Sequence, residues 1–369
     1  MSKSRIRVGV LFGGRSCEHE VSLLSAQSVI AAMDRDKFEV IPIGVTKQGQ
    51  WVTLTDPRLT HGKPVVPEAG TLVAMLPSPN QNSLMLLQAN TRTAQAPQLD
   101  VIFPLIHGTF GEDGTVQGLF ELAGIPYVGA GVLGSAVGMD KAAMKALFEQ
   151  AGLPVSPYRV ILRKRWRNAA DAVLAECEAT LPYPLFVKPA NLGSSVGVHK
   201  VHGRAEFTPA MDGAAQYDRK IIVEAGVEDA REIEVSVLGN DEARASVPGE
   251  IFPSREFYDY NAKYIDNASR LEIPARLPAE VTARLQDYAV RAFHALDCAG
   301  MARVDFLVRR TDNAIFLLEA NTIPGFTPIS MYPKLWEASG IRYGELIEKL
   351  IDLALERHRD CQSNRTSYD

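Results

Sequence analysis

Two periodicities of apolar residues organise the first third of the chain. RVGVLFGG (residues 7–14) predicts a buried strand that ends in glycines, and EVSLLSAQSVIAAM (20–33) has the apolar spacing of a helix. FEVIPIGVT (38–46) and LDVIFPLIHG (99–108) predict two more strands, separated by an irregular stretch with weak strands from Thr53 to Pro97. Strand–helix–strand order favours a parallel sheet, so this part is predicted to be an α/β domain.

The rest of the chain begins with a helix signal and continues mainly with strands. In MDKAAMKALFEQAGLP (139–154), Asp140 suits the N-cap, Gly152 suits the C-terminal end and Pro154 follows. A domain boundary is expected near the start of this helix. The same patterns predict a strand–glycine loop–strand unit in 183–201, strands in 220–227 and 231–239, and helices in 279–298 and 343–359.

Composition and charge exclude several classes of protein. The 369 residues are 46% hydrophobic and 22% charged, as in a soluble globular protein of two or three domains. A net charge of −5 without a basic block argues against nucleic acid as the main partner. No apolar run has the length of a signal peptide core or a membrane span. The cysteines fit neither a metal spacing nor a disulfide framework, which predicts a reducing, cytoplasmic compartment: Cys17, Cys177, Cys298 and Cys361.

The segment RVDFLVRRTDNAIFLLEAN (303–321) predicts a hairpin with an unusual polar face. If its turn centres on Asp312, Asp305 lies opposite Glu319 and Arg303 lies opposite Asn321. The other face would then be apolar, with Val304, Phe306, Leu318 and Ala320. Directly opposed carboxylates repel each other, and a bound cation such as Mg²⁺ would remove that cost. A solvated face, with Arg303 paired to one of the acids, is the alternative.

A glycine-rich loop is a candidate phosphate site. In KPANLGSSVGV, Lys188 ends a strand, and the following glycines with Ser194 and Ser195 could bring backbone N–H groups and hydroxyls to phosphate oxygens. The Walker pattern is absent, and a mobile hairpin loop is the alternative. Lys141, near a helix start, could be a second phosphate lysine or a surface lysine. The glycine pair 13–14 lacks the dinucleotide spacing, so a nicotinamide cofactor has weak support.

The motifs, taken in order, resemble the ATP-grasp superfamily and, within it, the D-alanine–D-alanine ligases. They are GGRSCEHEVSL, HGTFGEDGT, MDKAAMKALFEQAGLPVSPY, FVKPANLGSSVGV, EFYDYNAKY, RVDF and LLEANTIPGFTPIS, and together they cover nearly the whole chain. The resemblance implies an α/β (α+β) fold: an N-terminal parallel-sheet α/β domain (1–138), a central ATP-grasp lobe (139–224) and a C-terminal ATP-grasp lobe (225–369).

The resemblance also implies a reaction and its cofactors. ATP would phosphorylate the carboxylate of one D-alanine, and the amine of a second would attack the acylphosphate to give a dipeptide for peptidoglycan synthesis. Two Mg²⁺ ions, replaceable by Mn²⁺, would be held by Asp305, Glu319 and Asn321. The nucleotide would be bound by Lys141, Lys188, Ser195, Glu224, Ala225, Val227, Glu232 and Lys263. A lysine is frequent in the family where Ala225 stands, so only a backbone contact is expected there.

The family's substrate residues match positions in all parts of the chain. Glu18 would hold the first ammonium group, and Ser194 and Tyr264 would link to it and close a loop over the site. Arg303 and the backbone N–H of Gly325 would stabilise the oxyanion. The remaining matches are His107 and Glu112 in the wall of the first subsite, and Ser330 with the backbone of Met331 at the second carboxylate. A homodimer is the usual assembly in the family.

Three other functions are alternatives to dipeptide synthesis. A ligase that accepts D-lactate would form a depsipeptide, but Tyr264 and its loop resemble the dipeptide-forming ligases. A nicotinamide-dependent dehydrogenase would need the missing glycine fingerprint. A regulatory nucleotide-binding protein would have no need for an oxyanion arginine such as Arg303.

Overall fold

The N-terminal part of the molecule is a six-stranded mixed sheet. This computed structural model describes residues 5–54, 70–79, 84–87, 98–252, 270–327 and 329–365. The strands are β1 (Ile6–Gly13), β2 (Phe38–Val45), β3 (Trp51–Thr53), β4 (Thr71–Met75), β5 (Leu84–Leu86) and β6 (Val101–Pro104). They are ordered β5-β4-β3-β2-β1-β6, and β1 pairs in parallel with both β2 and β6, as the strand–helix–strand pattern predicts.

The described parts of the stretch from Thr53 to Pro97 contain short strands, as the sequence predicts. Strands β3, β4 and β5 are short and pair antiparallel, so they extend the parallel sheet at one edge. Three helices of this part are α1 (His19–Ala32), α2 (Thr115–Ala123) and α3 (Val132–Met139). The N-terminal sheet is therefore parallel in one half (β2, β1 and β6) and antiparallel in the other.

A four-stranded antiparallel sheet follows in the middle of the chain. Its order is β7-β10-β8-β9, from β7 (Tyr158–Leu162), β8 (Leu185–Pro189), β9 (His199–Val201) and β10 (Lys220–Ala225). The helices are α4 (Lys141–Gln150), α5 (Arg163–Asn168), α6 (Ala170–Thr180) and α7 (Arg204–Tyr217). Asp140 caps α4 as predicted, because its carboxylate accepts hydrogen bonds from the backbone of Ala142 and Ala143, both at 3.1 Å.

The third sheet carries the predicted hairpin. Its order is β14-β13-β11-β15-β16 with β12 beside β11, from β11 (Ala230–Gly239), β12 (Arg244–Ala245), β13 (Gly249–Phe252), β14 (Arg270–Glu272), β15 (Gly300–Arg309) and β16 (Ile315–Asn321). The helices are α8 (Ala279–Ala295), α9 (Met331–Ala338) and α10 (Tyr343–Gln362).

The end of the chain packs back onto the N-terminal sheet. Tyr332 and Trp336 of α9, with Phe326 just before it, are buried in one cluster with Phe12 and Phe103 of β1 and β6. The rings of Phe103 and Phe326 meet edge to face, 5.8 Å apart. This shared core fixes the loop after β16 against the N-terminal sheet, which matters because that loop lines the site described below.

The hairpin pairs as predicted near its polar end, with one correction. Arg303 lies opposite Asn321 and Asp305 opposite Glu319, but the register shifts after Asp305 so that Phe306 faces Leu317. The assignment of Leu318 to the apolar face is therefore wrong. A β-bulge adds one residue to β16 at this point, Leu317 takes the core position, and Leu318 turns to a cavity.

Two further expectations concern cysteines and membranes. The four cysteines all lie in the described ranges and are not joined in disulfides. Within the described ranges, every helix is too short or too polar to cross a bilayer.

Candidate active site

Two adjoining cavities bring together most of the residues singled out in the sequence. A cavity of about 730 Å³ lies between the central and C-terminal sheets, and one of about 420 Å³ lies between the C-terminal and N-terminal sheets. Both are lined by Gly193, Ser194, Glu234 and Glu319. A ligand in the larger cavity can therefore meet a ligand in the smaller one beside the paired acids of the hairpin.

The two cavities divide the predicted residues by their roles. The larger one is lined by all the predicted nucleotide residues that the structure describes: Lys141, Lys188, Ser195, Glu224, Ala225, Val227 and Glu232. The smaller one is lined by the predicted substrate residues Glu18, His107, Glu112, Ser194, Arg303, Gly325, Ser330 and Met331. Lys263, Tyr264 and the EFYDYNAKY segment lie outside the described residues.

The opposed acids of the hairpin are each held by a cation of the protein. Arg303 donates to both oxygens of Asp305, at 2.8 and 2.7 Å, and Asn321 Nδ2 donates to Asp305 Oδ2 at 3.0 Å. The ammonium of Lys141 lies 3.3 Å from Glu319 Oε2. Arg303 thus pairs with Asp305, as the alternative of a solvated sheet face predicts. However, Asp305 is only 9% exposed and lines a cavity, so this face is not an open solvated one.

The donor set fits magnesium shared with phosphate. Asp305, Glu319 and Asn321 offer two carboxylates and an amide oxygen, which are hard ligands. Across the described parts of the chain, three or more carboxylate, imidazole or thiol groups do not gather into a protein-only metal site. Magnesium commonly completes its shell with substrate phosphates and water, so this incomplete set beside a nucleotide-sized cavity suits it.

Glu234 is a member of the site that sequence reasoning missed. It lies opposite Asp305 on β11, and its Oε2 is 3.0 Å from Arg303 Nε, so one guanidinium faces two carboxylates. Burial acts to lower the pKa of Arg303, but the charges of Asp305 and Glu234 outweigh it and raise that pKa well above its usual value. Arg303 is therefore a permanent cation. Strand alternation could have predicted Glu234, because it lies on the same face of β11 as Glu232, which the sequence already assigns to the site.

Lys188 and Glu224 belong to a buried cluster with two unforeseen members. Glu224 is 2% exposed and accepts from Lys188 at 2.8 Å and from Lys145 at 2.6 Å. The hydroxyl of Ser156 also donates to it. Burial acts to raise the pKa of Glu224, but Lys145 and Lys188 outweigh it and bring that pKa to about 2. The Glu224 side chain is thus paired with protein cations. A contact between Glu224 and an adenine base would therefore be made by its backbone.

Helix α4 and the glycine-rich loop meet at Lys141. Its backbone N–H donates to Ala190 at 2.9 Å, and its ammonium donates to the carbonyl of Leu192 at 2.8 Å. The loop continues through Ser194 and Ser195 with φ of +49° and +57°, a left-handed conformation that is uncommon for serine. Such strain is typical of loops that bind ligands, because the surrounding contacts must hold it in place.

Ser194 joins the phosphate loop to the N-terminal sheet. Its hydroxyl donates to the carboxylate of Glu18, which follows β1 and is 8% exposed. Two glycines make room for that carboxylate: a Cβ at Gly108, where φ is +78°, would lie 2.6 Å from Glu18 Oε2, and one at Gly193 would lie 3.1 Å from it. The sequence thus places a carboxylate between two loops at the wall of the smaller cavity.

His107 and Glu112 hold the loop after β16. His107 Nδ1 lies 3.1 Å from the carbonyl of Ile323 and must donate to it, so Nε2 accepts from Ser25, 3.0 Å away. Burial lowers the pKa of His107, which keeps the ring neutral. Glu112 accepts from the N–H groups of Gly108 and Ile323 at 2.6 and 3.1 Å. Both side chains therefore line the cavity while fixing its wall.

The predicted seat of the second substrate is a tight turn. The Ser330 hydroxyl accepts from the N–H of Thr327 at 3.1 Å and lies 2.8 Å from the Thr327 hydroxyl, directly before α9 begins at Met331. A Cβ at Gly325 would lie 2.8 Å from Ser330 Oγ, so only glycine fits there without a shift. The N–H of Gly325 and the start of a helix thus border the same cavity as Arg303.

The fold and the site together define an ATP-grasp enzyme: two sheets enclose a nucleotide-sized cavity with paired acids at its floor. Two family models cover most of the chain. The model described as "D-ala D-ala ligase N-terminus" matches residues 7–130, and "D-ala D-ala ligase C-terminus" matches residues 147–352. The chain belongs to the D-alanine–D-alanine ligase family.

Individual relatives agree with the family models. A D-alanine–D-alanine ligase of Heliobacterium modesticaldum is 54% identical over 97% of both chains, and one of Natranaerobius thermophilus is 48% identical over 99% of both. The solved ligase from Coxiella burnetii superposes with a TM-score of 0.84 at 35% identity, over 97% of this chain and 96% of that one. The VanG D-Ala:D-Ser ligase from Enterococcus faecalis gives 0.83 at 36% identity, over 95% and 100%.

Proposed function

We propose that the protein joins two D-alanines to D-alanyl-D-alanine at the expense of ATP, for peptidoglycan precursor synthesis. One observation carries the proposal: a nucleotide-sized cavity opens beside a small cavity with fixed groups of both charges, and the two meet at Glu319 and Ser194. Phosphoryl transfer between a nucleotide and a small amino acid needs this adjacency, because the reacting oxygen and phosphorus must approach in line.

The first step would form D-alanyl phosphate. A carboxylate oxygen of the first D-alanine attacks the γ-phosphorus of ATP, and the bond to the β-phosphate oxygen breaks to release ADP. Glu18 would hold the ammonium of this D-alanine through a charge-assisted hydrogen bond. Lys141 and Lys188 would orient the phosphates, and the adenine and ribose would lie along Ala225, Val227 and Glu232.

The second step would form the peptide bond. The neutral amine of the second D-alanine attacks the acyl carbon, and the tetrahedral adduct expels inorganic phosphate. Arg303 and the N–H of Gly325 would stabilise the developing oxyanion, while Ser330 and the backbone of Met331 would seat the second carboxylate. Because the amine must be neutral, turnover should rise into mildly alkaline pH.

The metal would act with the nucleotide rather than alone. Asp305, Glu319 and Asn321 would hold two Mg²⁺ ions, or Mn²⁺ as a substitute, and the ions would screen charge between ATP and the attacking carboxylate. Lys263 would reach the transferred phosphate, and Tyr264 would link to Ser194 to close a loop and exclude water. The same proposal includes the division at residues 138 and 224, a homodimer and a cytoplasmic location.

The test is phosphate release from ATP and Mg²⁺ with identification of the product by mass. D-alanine alone, D-alanine with D-lactate, D-alanine with D-serine, and L-alanine are run in parallel. The expected result is release with D-alanine and the dipeptide as product, without release for L-alanine. A depsipeptide, or a mixed product with D-serine, as the main product would instead assign a different second substrate. The D-serine reaction is included because one structural relative is a D-Ala:D-Ser ligase.

A further inference from the structure

The buried cluster around Glu224 has more positive than negative charge. Two ammonium groups, from Lys145 and Lys188, share the carboxylate of Glu224, which also accepts a hydrogen bond from the Ser156 hydroxyl. Lys188 lines the nucleotide cavity, whereas Lys145 lies behind the carboxylate and is only 1% exposed. One positive charge is therefore left over, and it is presented at the cavity wall.

Lys145 is placed by the same helix that places Lys141. The two lysines are four residues apart at the start of α4 and so share a helix face. Lys141 reaches the glycine-rich loop and Glu319, and Lys145 reaches Glu224 one turn later. A single helix thus sets the charge on both sides of the phosphate region.

We propose that Lys145 is a positioning residue for nucleotide phosphates. By taking one oxygen of Glu224, it prevents that carboxylate from neutralising Lys188 and leaves the Lys188 ammonium directed at a phosphate. The Glu224 carboxylate then acts as a rigid spacer between two cations, and the excess charge is compensated when the nucleotide binds. This inference rests on the proposed nucleotide site, and it assigns a function to a side chain that cannot touch the nucleotide itself.

A purely structural role makes a different prediction. A buried ion pair that only held α4 against the central sheet would, when broken, loosen the whole cavity and weaken every ligand in it. The charge argument instead predicts a loss confined to ligands with phosphate. Without Lys145, Lys188 is the one charged partner of Glu224 among the described residues, so the stronger pairing removes Lys188 from the phosphate.

The experiment measures binding of ADP and of adenosine to the full-length protein by calorimetry. Lys145→Met is expected to weaken ADP about tenfold or more, the range of one charge-assisted hydrogen bond. Adenosine affinity is expected to change less than about twofold. Lys145→Arg, which keeps the cation, should retain most of the ADP affinity. Lys349→Met removes an exposed lysine that pairs with Glu345 at 3.4 Å, and it serves as the control for loss of one positive charge.

A second-site variant sharpens the test. Adding Glu224→Gln to Lys145→Met removes the carboxylate that would capture Lys188, so ADP affinity should recover relative to the single variant. Equal losses for ADP and adenosine, or ADP binding by Lys145→Met at the wild-type level, would overturn the positioning role. If Lys145→Met does not fold, the double variant and Lys145→Arg provide the test. A double variant that loses as much affinity for ADP as for adenosine, relative to wild type, would contradict the charge argument.

Turnover separates this inference from the proposed function. In steady state, Lys145→Met should raise the KM for ATP and leave the KM for D-alanine nearly unchanged. Wild-type protein that binds no adenine nucleotide would overturn the proposed function and this inference together. Wild-type binding and ligation with no selective ADP loss in the variant would overturn the inference alone.

Discussion

Replacing Arg303 by methionine should destabilise the protein, because its guanidinium lies between two buried carboxylates and offsets part of their charge. Asp305 and Glu234 are 9% and 7% exposed, and both lie within 3.0 Å of Arg303. Removing one partner of a buried ion pair typically costs about 3–5 kcal/mol. An unfolding entropy of about 2.1 cal/mol/K per residue then implies a fall in Tm of roughly 4–6 °C for a chain of this length.

The chain offers a matched control on the same strand. Arg309 also makes a two-pronged contact with an acid, Asp312, at 2.9 and 2.7 Å, but both side chains are exposed. Exposed ion pairs contribute little to stability because water and salt screen them, so Arg309→Met should shift Tm far less than Arg303→Met. Arg303→Lys should fall between the two, because lysine keeps the charge but cannot bridge both acids in the same fork.

Activity and metal response provide independent readouts of the Arg303 variant. Loss of an oxyanion donor commonly lowers kcat by about 10²–10³-fold, and a similar fall in dipeptide formation is expected here. Mg²⁺ should stabilise Arg303→Met more than wild type, because the guanidinium no longer competes for Asp305. Thermal unfolding with and without Mg²⁺ and phosphate release assays measure both effects. Equal Tm values for Arg303→Met and Arg309→Met would refute the charge argument.

Two other variants test the metal assignment and the half-buried Glu112 of the cavity wall. Glu319→Gln should abolish Mg²⁺-dependent phosphate release while the thermal unfolding profile stays cooperative, and near-normal turnover would contradict a metal role. Burial, reinforced by the charge of Glu18, raises the pKa of Glu112 to about 8, from a usual value of 4.5. Between these values the folded state keeps a proton that the unfolded state has lost, so the free energy of unfolding should fall as pH rises, by at most about 1.4 kcal/mol per unit. Glu112→Gln should lack this slope when Tm is measured from pH 5 to 9. If the Tm curves of wild type and Glu112→Gln run parallel, the raised pKa of Glu112 is wrong.

Local pattern was sufficient for the polar face of the hairpin but not for its apolar face. Alternation along two strands and one turn fix which side chains lie opposite each other, and Asp305 and Glu319 were found in this way. The bulge after Asp305 has no comparable local signal, because strict alternation gives no indication of an extra residue in β16. Strict alternation therefore predicts Leu318 in the core, but the core position is filled by Leu317.

Contacts between distant segments set the other limit of sequence reasoning. Ser156, Lys145 and Glu224 come from a loop, a helix and a strand, and Lys145 and Glu224 are 79 residues apart. The spacing of four residues predicts that Lys145 lies on the same face of α4 as Lys141. The local sequence does not indicate that this face of α4 packs against β10, which carries Glu224. The pairing of His107 with Ile323 across 216 residues was hidden for the same reason.

The pairing of charges in the site explains how it can keep so many acids beside one cavity. Each carboxylate proposed for the metal is already compensated by a cation proposed for another ligand: Asp305 by Arg303, and Glu319 by Lys141. In the proposed reaction, Asp305 and Glu319 would turn to the metal, and Arg303 and Lys141 would turn to the oxyanion and the phosphates. Binding is then an exchange of partners, which avoids the large cost of leaving buried charges unpaired. Under the proposed roles, a metal at Asp305 would weaken the hold of that carboxylate on Arg303, so metal binding and oxyanion stabilisation would be coupled through Asp305.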